Sequence, residues 1–317
     1  MPRKLQSRTC PICLSDPAEV FCEVRGNDRL HTSASEAQLP GNTIVYRCKN
    51  CTLGWIDPVP SARELAGYYT SSYLGDVAST VEGFLAGQLQ RSRSWKNELD
   101  KARLVERFVA GGRIRDVGCG DGKFLWALDR RRWERSGIEA IGSAVSLVRS
   151  KLSDLSLVAG DVLSAQLPEE SFDVVTLWHV LEHLPEPQKV IQRVRGLLAP
   201  GGWLFISLPN FESWQASIFR RHWYALDVPR HLYFFSPRSL RLLLTETGLT
   251  VVRNAFFSRR ASFHQLKHSA LNWSQSAFGS RFPYYCIKPI LGIACLLENV
   301  TEGYGVLTTV ARKAPNG

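Results

Sequence analysis

Short apolar runs alternate with helically spaced stretches through the middle of the chain. The runs are Leu155 to Val158, Phe172 to Thr176 and Trp203 to Leu208, with Ile114 to Val117 and Glu134 to Ile138 as more polar members that end on an apolar residue. They read as strands of a parallel sheet covered on both faces. Between them, Phe124, Leu125 and Leu128 mark a helix over Lys123 to Arg131, and Glu186-Pro187 opens another that extends to Leu198. This alternation predicts an α/β fold. Upstream, Leu85, Leu89, Leu99, Ala102, Val105 and Phe108 predict helix across residues 80–109, ended by Gly111-Gly112. Ser61 caps a short helix over Ala62 to Gly67, and Ser236-Pro237 starts one through Leu240, Leu243 and Leu244 that Gly248 stops. Strands are predicted for Thr250 to Phe257 and Gly305 to Ala311, separated by a 46-residue insertion, 258–303. Its apolar stretch, Ile287 to Leu297, is broken by Pro289.

The chemistry concentrates where the first core strand ends, at Asp116-Val117-Gly118-Cys119-Gly120-Asp121-Gly122. A strand, a glycine-rich turn and a helix start form a nucleotide-binding layout. The glycine spacing differs from the dinucleotide fingerprint Gly-x-Gly-x-x-Gly. Lys123 is followed by Phe124, so there is no Gly-Lys-Ser/Thr triphosphate loop either. What remains is Asp-x-Gly-x-Gly-x-Gly. An acidic residue beside the turn suits a cationic or amino-bearing ligand better than a pyrophosphate.

This stretch resembles motif I of the class I S-adenosylmethionine-dependent methyltransferases. Three later features resemble the same family in order. They are the acid Glu139 at the end of the second strand, Phe172-Asp-Val-Val leading to His179-Val-Leu-Glu182-His183-Leu-Pro185, and Pro200-Gly201-Gly202 before an apolar strand. The resemblance implies a Rossmann-like, mostly parallel seven-stranded sheet with helices on both faces. It implies methyl transfer from S-adenosylmethionine by in-line displacement. Asp116 would lie near the cofactor's amino end, and Gly118, Cys119, Gly120 and Gly122 would form the loop beneath its carboxylate and ribose. Glu139 would accept from the ribose hydroxyls, Asp161 from the adenine amino group, and Val162 and Trp178 would line the cofactor. His179 and His183 lie where the methyl group meets the acceptor. A ubiquinone-pathway group holds a divalent metal with a Glu-x-x-Glu-His version of this segment; here His179 stands in place of the first Glu. Base, metal ligand and structural roles all remain open for His179, Glu182 and His183.

Residues 211–235 are dense in aromatic and titratable groups, including Trp223, Tyr224, Asp227, Arg230 and His231. The aromatics suggest a recess for an acceptor. Similar bacterial methyltransferases place an Asp-x-Pro-x-His segment here. That makes His231 the first choice of general base, with a loop-fixing role as its alternative. Arg230 either holds an anionic group or pairs with Asp227.

At the N-terminus, Cys10-Pro-Ile-Cys13 and Cys48-Lys-Asn-Cys51 are two Cys-x-x-Cys knuckles. Four thiolates form the tetrahedral set of structural zinc. A redox role, or replacement of one ligand by Cys22 or His31, is the alternative. The knuckles, the Pro58-Val-Pro60 linker, the short helix and Tyr68-Tyr69 resemble the N-terminal region of a bacterial methyltransferase group. Its members often serve sugar, lipid or secondary-metabolite biosynthesis. The organisation expected is a zinc ribbon over 1–60, a helical lead-in covering the cofactor over 61–110, and the methyltransferase core over 111–317. Within that core, 211–235 forms the acceptor loop and 258–303 a helical insertion.

Composition narrows this further. With 44% hydrophobic and 21% charged residues, the chain is ordinary globular protein. No apolar run approaches 18 residues, and Cys10 stands where a signal peptide would need its apolar region. The cysteine pattern suits a reducing, cytoplasmic compartment. The formal charge is +10, and from Trp203 onward thirteen Lys and Arg face five Asp and Glu. A solvated basic surface is the plain reading, and nucleic acid or an anionic membrane the functional ones. A small-molecule acceptor therefore leads, with O-, N- or C-methylation open. An RNA methyltransferase using the zinc ribbon is the runner-up, and a non-catalytic S-adenosylmethionine-binding module comes third. The insertion is expected to pack on the core, form a dimer face or touch a membrane, so monomer and homodimer both stay open.

Overall fold

The computed structural model describes residues 9–16, 18–25, 42–68, 71–88, 92–151, 154–255, 259–301 and 304–315. His31 and Tyr69, and the end of the strand expected to reach Phe257, lie outside them. In chain order, the first strands are β1 (Ala18–Val24), β2 (Thr43–Cys48) and β3 (Gly54–Asp57). Three helices follow: α1 (Ala62–Gly67), α2 (Ser71–Leu85) and α3 (Arg93–Glu106). The core then runs β4 (Gly112–Val117), α4 (Lys123–Ala127), β5 (Trp133–Glu139), α5 (Gly142–Lys151), β6 (Ser156–Ala159), β7 (Phe172–Trp178), α6 (Pro187–Leu197) and β8 (Leu198–Pro209). The last third holds α7 (Trp214–Phe219), β9 (Tyr233–Phe234), α8 (Pro237–Glu246), β10 (Leu249–Ala255), α9 (Arg259–Phe278), α10 (Phe282–Thr301) and β11 (Val306–Lys313).

Seven strands form the main sheet in the order β10-β11-β8-β7-β4-β5-β6. β11 runs antiparallel to both neighbours; the other pairs are parallel. From β4 the chain moves outward to β5 and β6, then returns to β7 on the other side. That reversal opens a crevice at the carboxyl ends of β4 and β7, where ligands of doubly wound sheets bind. One face is covered by α6 and α8 through Val190, Ile191, Val194, Leu240, Leu243 and Leu244. The other is covered by α3, α4 and α5, through Val105, Leu125 and Val148 among others.

Two central strands are less apolar than full burial suggests, and each buried cation has a partner. Arg115 donates to the Gly137 carbonyl at 3.1 Å and lies over the Phe172 ring at 4.7 Å; burial lowers its pKa. Arg135 donates to the Leu125 carbonyl at 3.3 Å and to Asp154 at 2.6 Å.

The expected 80–109 helix is two helices. Gly87 takes a left-handed φ of 68° between them, and the Ser92 hydroxyl accepts from the Trp95 amide at 3.1 Å to restart helix at α3. The first core helix stops at Ala127, because Leu128 is extended. Pro289 does not break the insertion: α10 continues through it. An exposed proline costs a helix one hydrogen bond and some strain, which neighbouring turns can carry.

The N-terminal strands form a second, antiparallel sheet, β1-β2-β3-β9. Its last member comes from residues 211–235, so the cysteine module and the acceptor segment share backbone hydrogen bonds through Trp55–Tyr233 and Gly54–Phe234. Thr52 bonds the Ser236 hydroxyl at 2.6 Å, and Ser236 in turn caps α8 through a capping box with Ser239.

Candidate active site

The glycine turn owes its shape to backbone that glycine alone adopts readily. Gly118, Gly120 and Gly122 have φ values of 71°, 50° and 74°. A Cβ on Gly118 would meet Val180 Cγ2 at 2.5 Å. Beside the turn, Glu139 is buried at the end of β5. Its carboxylate accepts from the Gly120 amide at 3.0 Å and from the Ile141 amide at 3.0 Å. Both oxygens are thus aimed before any ligand arrives. Asp161 is fixed similarly, accepting from the Leu163 amide at 2.7 Å, with Val162 buried next to it.

Of the residues expected at the cofactor, Asp116 and Trp178 lie behind the turn instead of in the crevice, and within the turn Gly118 lines the crevice while Cys119, Gly120 and Gly122 do not. Asp116 is buried and accepts from the Thr176 hydroxyl at 2.6 Å; burial pushes its carboxyl up to about 7. Trp178 is buried edge-on to Phe124 at 5.1 Å, with the Lys101 ammonium over its ring at 5.3 Å. Cys119 is buried against Gly137, and burial raises its thiol. All three shape the floor from beneath.

Above the turn opens a crevice of about 1440 Å³. That exceeds the ~300–1,000 Å³ of single-ligand pockets. Gly118, Glu139, Asp161 and Val162 line one end; His179, His183, Tyr224 and His231 line the other. Helix α9 adds Phe263, His264 and Lys267, which the sequence reading missed, as it missed Ser94 and Asn97 of α3. Their signal was the helical spacing of His264, Lys267 and His268, hidden in a segment with no motif.

The histidine wall surrounds one carboxylate. Glu182 is 1% exposed, and among the described residues neither of its carboxylate oxygens has a hydrogen-bond partner. Burial works to raise its pKa, but the contact with His179 and the proximity of His183 and His231 outweigh that and lower it. His179 Nδ1 stands 3.5 Å away. His179 itself has a left-handed φ of 58°, a strained state for a non-glycine residue that recurs at functional sites. His183 Nδ1 donates to the Arg230 carbonyl at 3.1 Å and His231 Nδ1 to the Ala225 carbonyl at 2.8 Å, which fixes both rings through Nδ1. Burial and the neighbouring His231 pull His183 down to about 4, so it is neutral at pH 7. A metal-capable cluster does exist here, made of Glu182, His183 and His231, whereas the segment by itself offered His179, Glu182 and His183.

The expected acceptor residues divide. Tyr224 lines the crevice, its ring against His264 at 5.3 Å and His268 at 5.0 Å. Arg230 is ion-paired with Asp227. Trp223 is a core residue, 1% exposed and packed between Phe211 and Phe234, so it is no wall of the site.

Away from the crevice, Cys10, Cys13, Cys48 and Cys51 place their sulfurs within 4.8 Å of one another, with Cys10–Cys51 and Cys13–Cys48 at 3.5 Å. Sulfurs on a tetrahedron with ~2.3 Å arms are about 3.8 Å apart. The four thiols fit a metal ion, and none forms a disulfide.

Comparison with known proteins agrees with this geometry. A family model described as a methyltransferase domain matches residues 88–254. A ubiquinone biosynthesis O-methyltransferase of Thiobacillus denitrificans is 33% identical over 153 residues, which is 44% of this chain and 66% of the relative. One from Burkholderia pseudomallei is 32% identical over 172 residues, 49% of this chain and 74% of the relative. Among solved structures, the [4+2]-cyclase SpnF shares the fold with a TM-score of 0.54 at 18% identity, covering 81% of this chain and 98% of that one. Together with the glycine turn and the seven-stranded sheet, these matches show that the chain belongs to the methyltransferase domain family and is an S-adenosylmethionine-dependent methyltransferase.

Proposed function

We propose that the chain methylates a hydroxyl group of a small molecule held against the histidine wall. The observation that carries this is the single crevice joining the glycine turn and Glu139 to His179, His183 and His231. Similarity to two O-methyltransferases favours oxygen as the acceptor atom. When bound, S-adenosylmethionine supplies an electrophilic methyl group on a sulfonium. The protein's tasks are alignment and exclusion of water. In this reading Glu139 takes the ribose hydroxyls, Asp161 the adenine amino group, and Val162 the ring face. Gly118 lets the backbone come close. His231 Nε2 receives the acceptor's proton, and Asp227, 3.9 Å from it, supports the resulting cation. Tyr224 and Phe263 flank the acceptor body. The four cysteines hold structural zinc, which fastens the second sheet to the acceptor segment.

The test is a methylation screen with hydroxylated aromatic and sugar acceptors, followed by His231→Ala and His179→Ala on any hit. Loss of a positioned base is expected to lower kcat about 10²–10⁴-fold. An unchanged rate in the His231 variant would reassign the base, and a hit list confined to amines would overturn O-methylation.

A further inference from the structure

Between Glu246 and Glu298 the chain has no acidic residue and six Lys and Arg. Most of that span is the α9–α10 hairpin, which lies beyond the matched family domain. Its outer half turns apolar side chains to solvent. Phe278 is 58% exposed, Phe282 71%, Tyr285 61% and Ile290 63%. Trp273 packs edge-on to Phe278 at 5.4 Å, and Arg281 and Lys288 are exposed among them. Large aromatics interleaved with cations, and no anions, make the composition of a surface that settles into the headgroup region of a bilayer. No described helix is long and apolar enough to cross a membrane, so the hairpin would lie on one.

We propose that the outer half of this hairpin, from Trp273 to Ile290, docks on anionic phospholipid. Phe278, Phe282, Tyr285 and Ile290 enter the interface, while Arg281 and Lys288 meet lipid phosphates. Charge decides between this occupant and a second copy of the chain. A two-fold contact sets the same patch against itself, and here that apposes cation to cation. An anionic bilayer neutralises the same charges. The inner half of α9 supplies Phe263, His264 and Lys267 to the crevice, so docking would bring the crevice to the lipid surface.

The test is flotation of the full chain, loaded with S-adenosylhomocysteine, on vesicles of phosphatidylcholine with and without phosphatidylglycerol. Binding is expected only with phosphatidylglycerol, and to fall with added salt. Arg281→Glu with Lys288→Glu should weaken it at least about tenfold, since each cation near such a surface contributes roughly that factor or a little less. Phe282→Ser with Tyr285→Ser, which keeps the charge, should weaken it as well. None of these residues lines the crevice, so S-adenosylhomocysteine affinity should be unchanged and certifies folding. No flotation, equal flotation on both vesicles, or a concentration-dependent dimer that Phe282→Ser with Tyr285→Ser dissociates would each overturn the proposal.

Discussion

Asp116 carries the acidic signature of the glycine turn, yet its carboxyl is buried against Thr176 and does not line the crevice. Its pKa is raised from 3.8 to about 7, first by desolvation. Between those values the folded chain holds a proton that the unfolded chain has released. Stability therefore falls as pH rises through this window. Asp116→Asn keeps an acceptor for Thr176 and removes the titration, so its unfolding free energy should lose that decline between pH 4 and 7 in denaturant titrations. A slope equal to wild type would place the proton elsewhere. Glu182 is the complementary case: burial pushes its carboxyl up, and the contact with His179 together with nearby His183 and His231 brings it below the usual value. Sequence alone named it inside a motif but could not show that it is the shared centre of three histidines. Two of those come from one segment, and His231 arrives from 49 positions later.

At the scale of elements, the core strands and the turn were legible because their signals are local. Apolar runs, glycines and a strand-end acid each act within a few residues. What was not legible depends on long-range pairing. The two residues of β9 have no pattern of their own and become strand only by joining β3. Trp223 and Tyr224 are adjacent aromatics with opposite fates, core and crevice, decided by where Phe211, Phe234 and His264 sit. The same coupling makes the cysteine module consequential. Thr52, next to Cys51, bonds the residue that caps α8, so loss of metal should reach past the knuckles. Purified chain is expected to carry one zinc on its four cysteines. Cys51→Ser should lose it and lower the melting temperature by several degrees. Full metal loss with an unchanged melting curve would show that the module is not a brace.

Across the whole molecule, the matched family domain covers residues 88–254, and parts outside it complete both the fold and the crevice: β11 lies between β10 and β8 in the main sheet, and α9 lines the crevice. The N-terminal sheet holds the segment that presents Asp227, Arg230 and His231, and α9 lines the same crevice while packing its His264 and His268 against Tyr224 of that segment. Cofactor groups and the histidine wall thus both lie within the matched domain, and α9 adds Phe263, His264 and Lys267 to the crevice from outside it. The central claim is that Glu139 and the glycine turn hold the methyl donor. Calorimetry with S-adenosylhomocysteine tests it most directly, on wild type and Glu139→Ala, with Glu139→Gln as the variant that keeps an acceptor. Wild type should bind at micromolar Kd. Glu139→Ala should weaken binding at least about tenfold, because a charged hydrogen bond contributes ~1.5–3 kcal/mol. Glu139→Gln should fall between them. A folded, zinc-loaded wild type that does not bind, or a folded Glu139→Ala that binds equally well, would contradict the account.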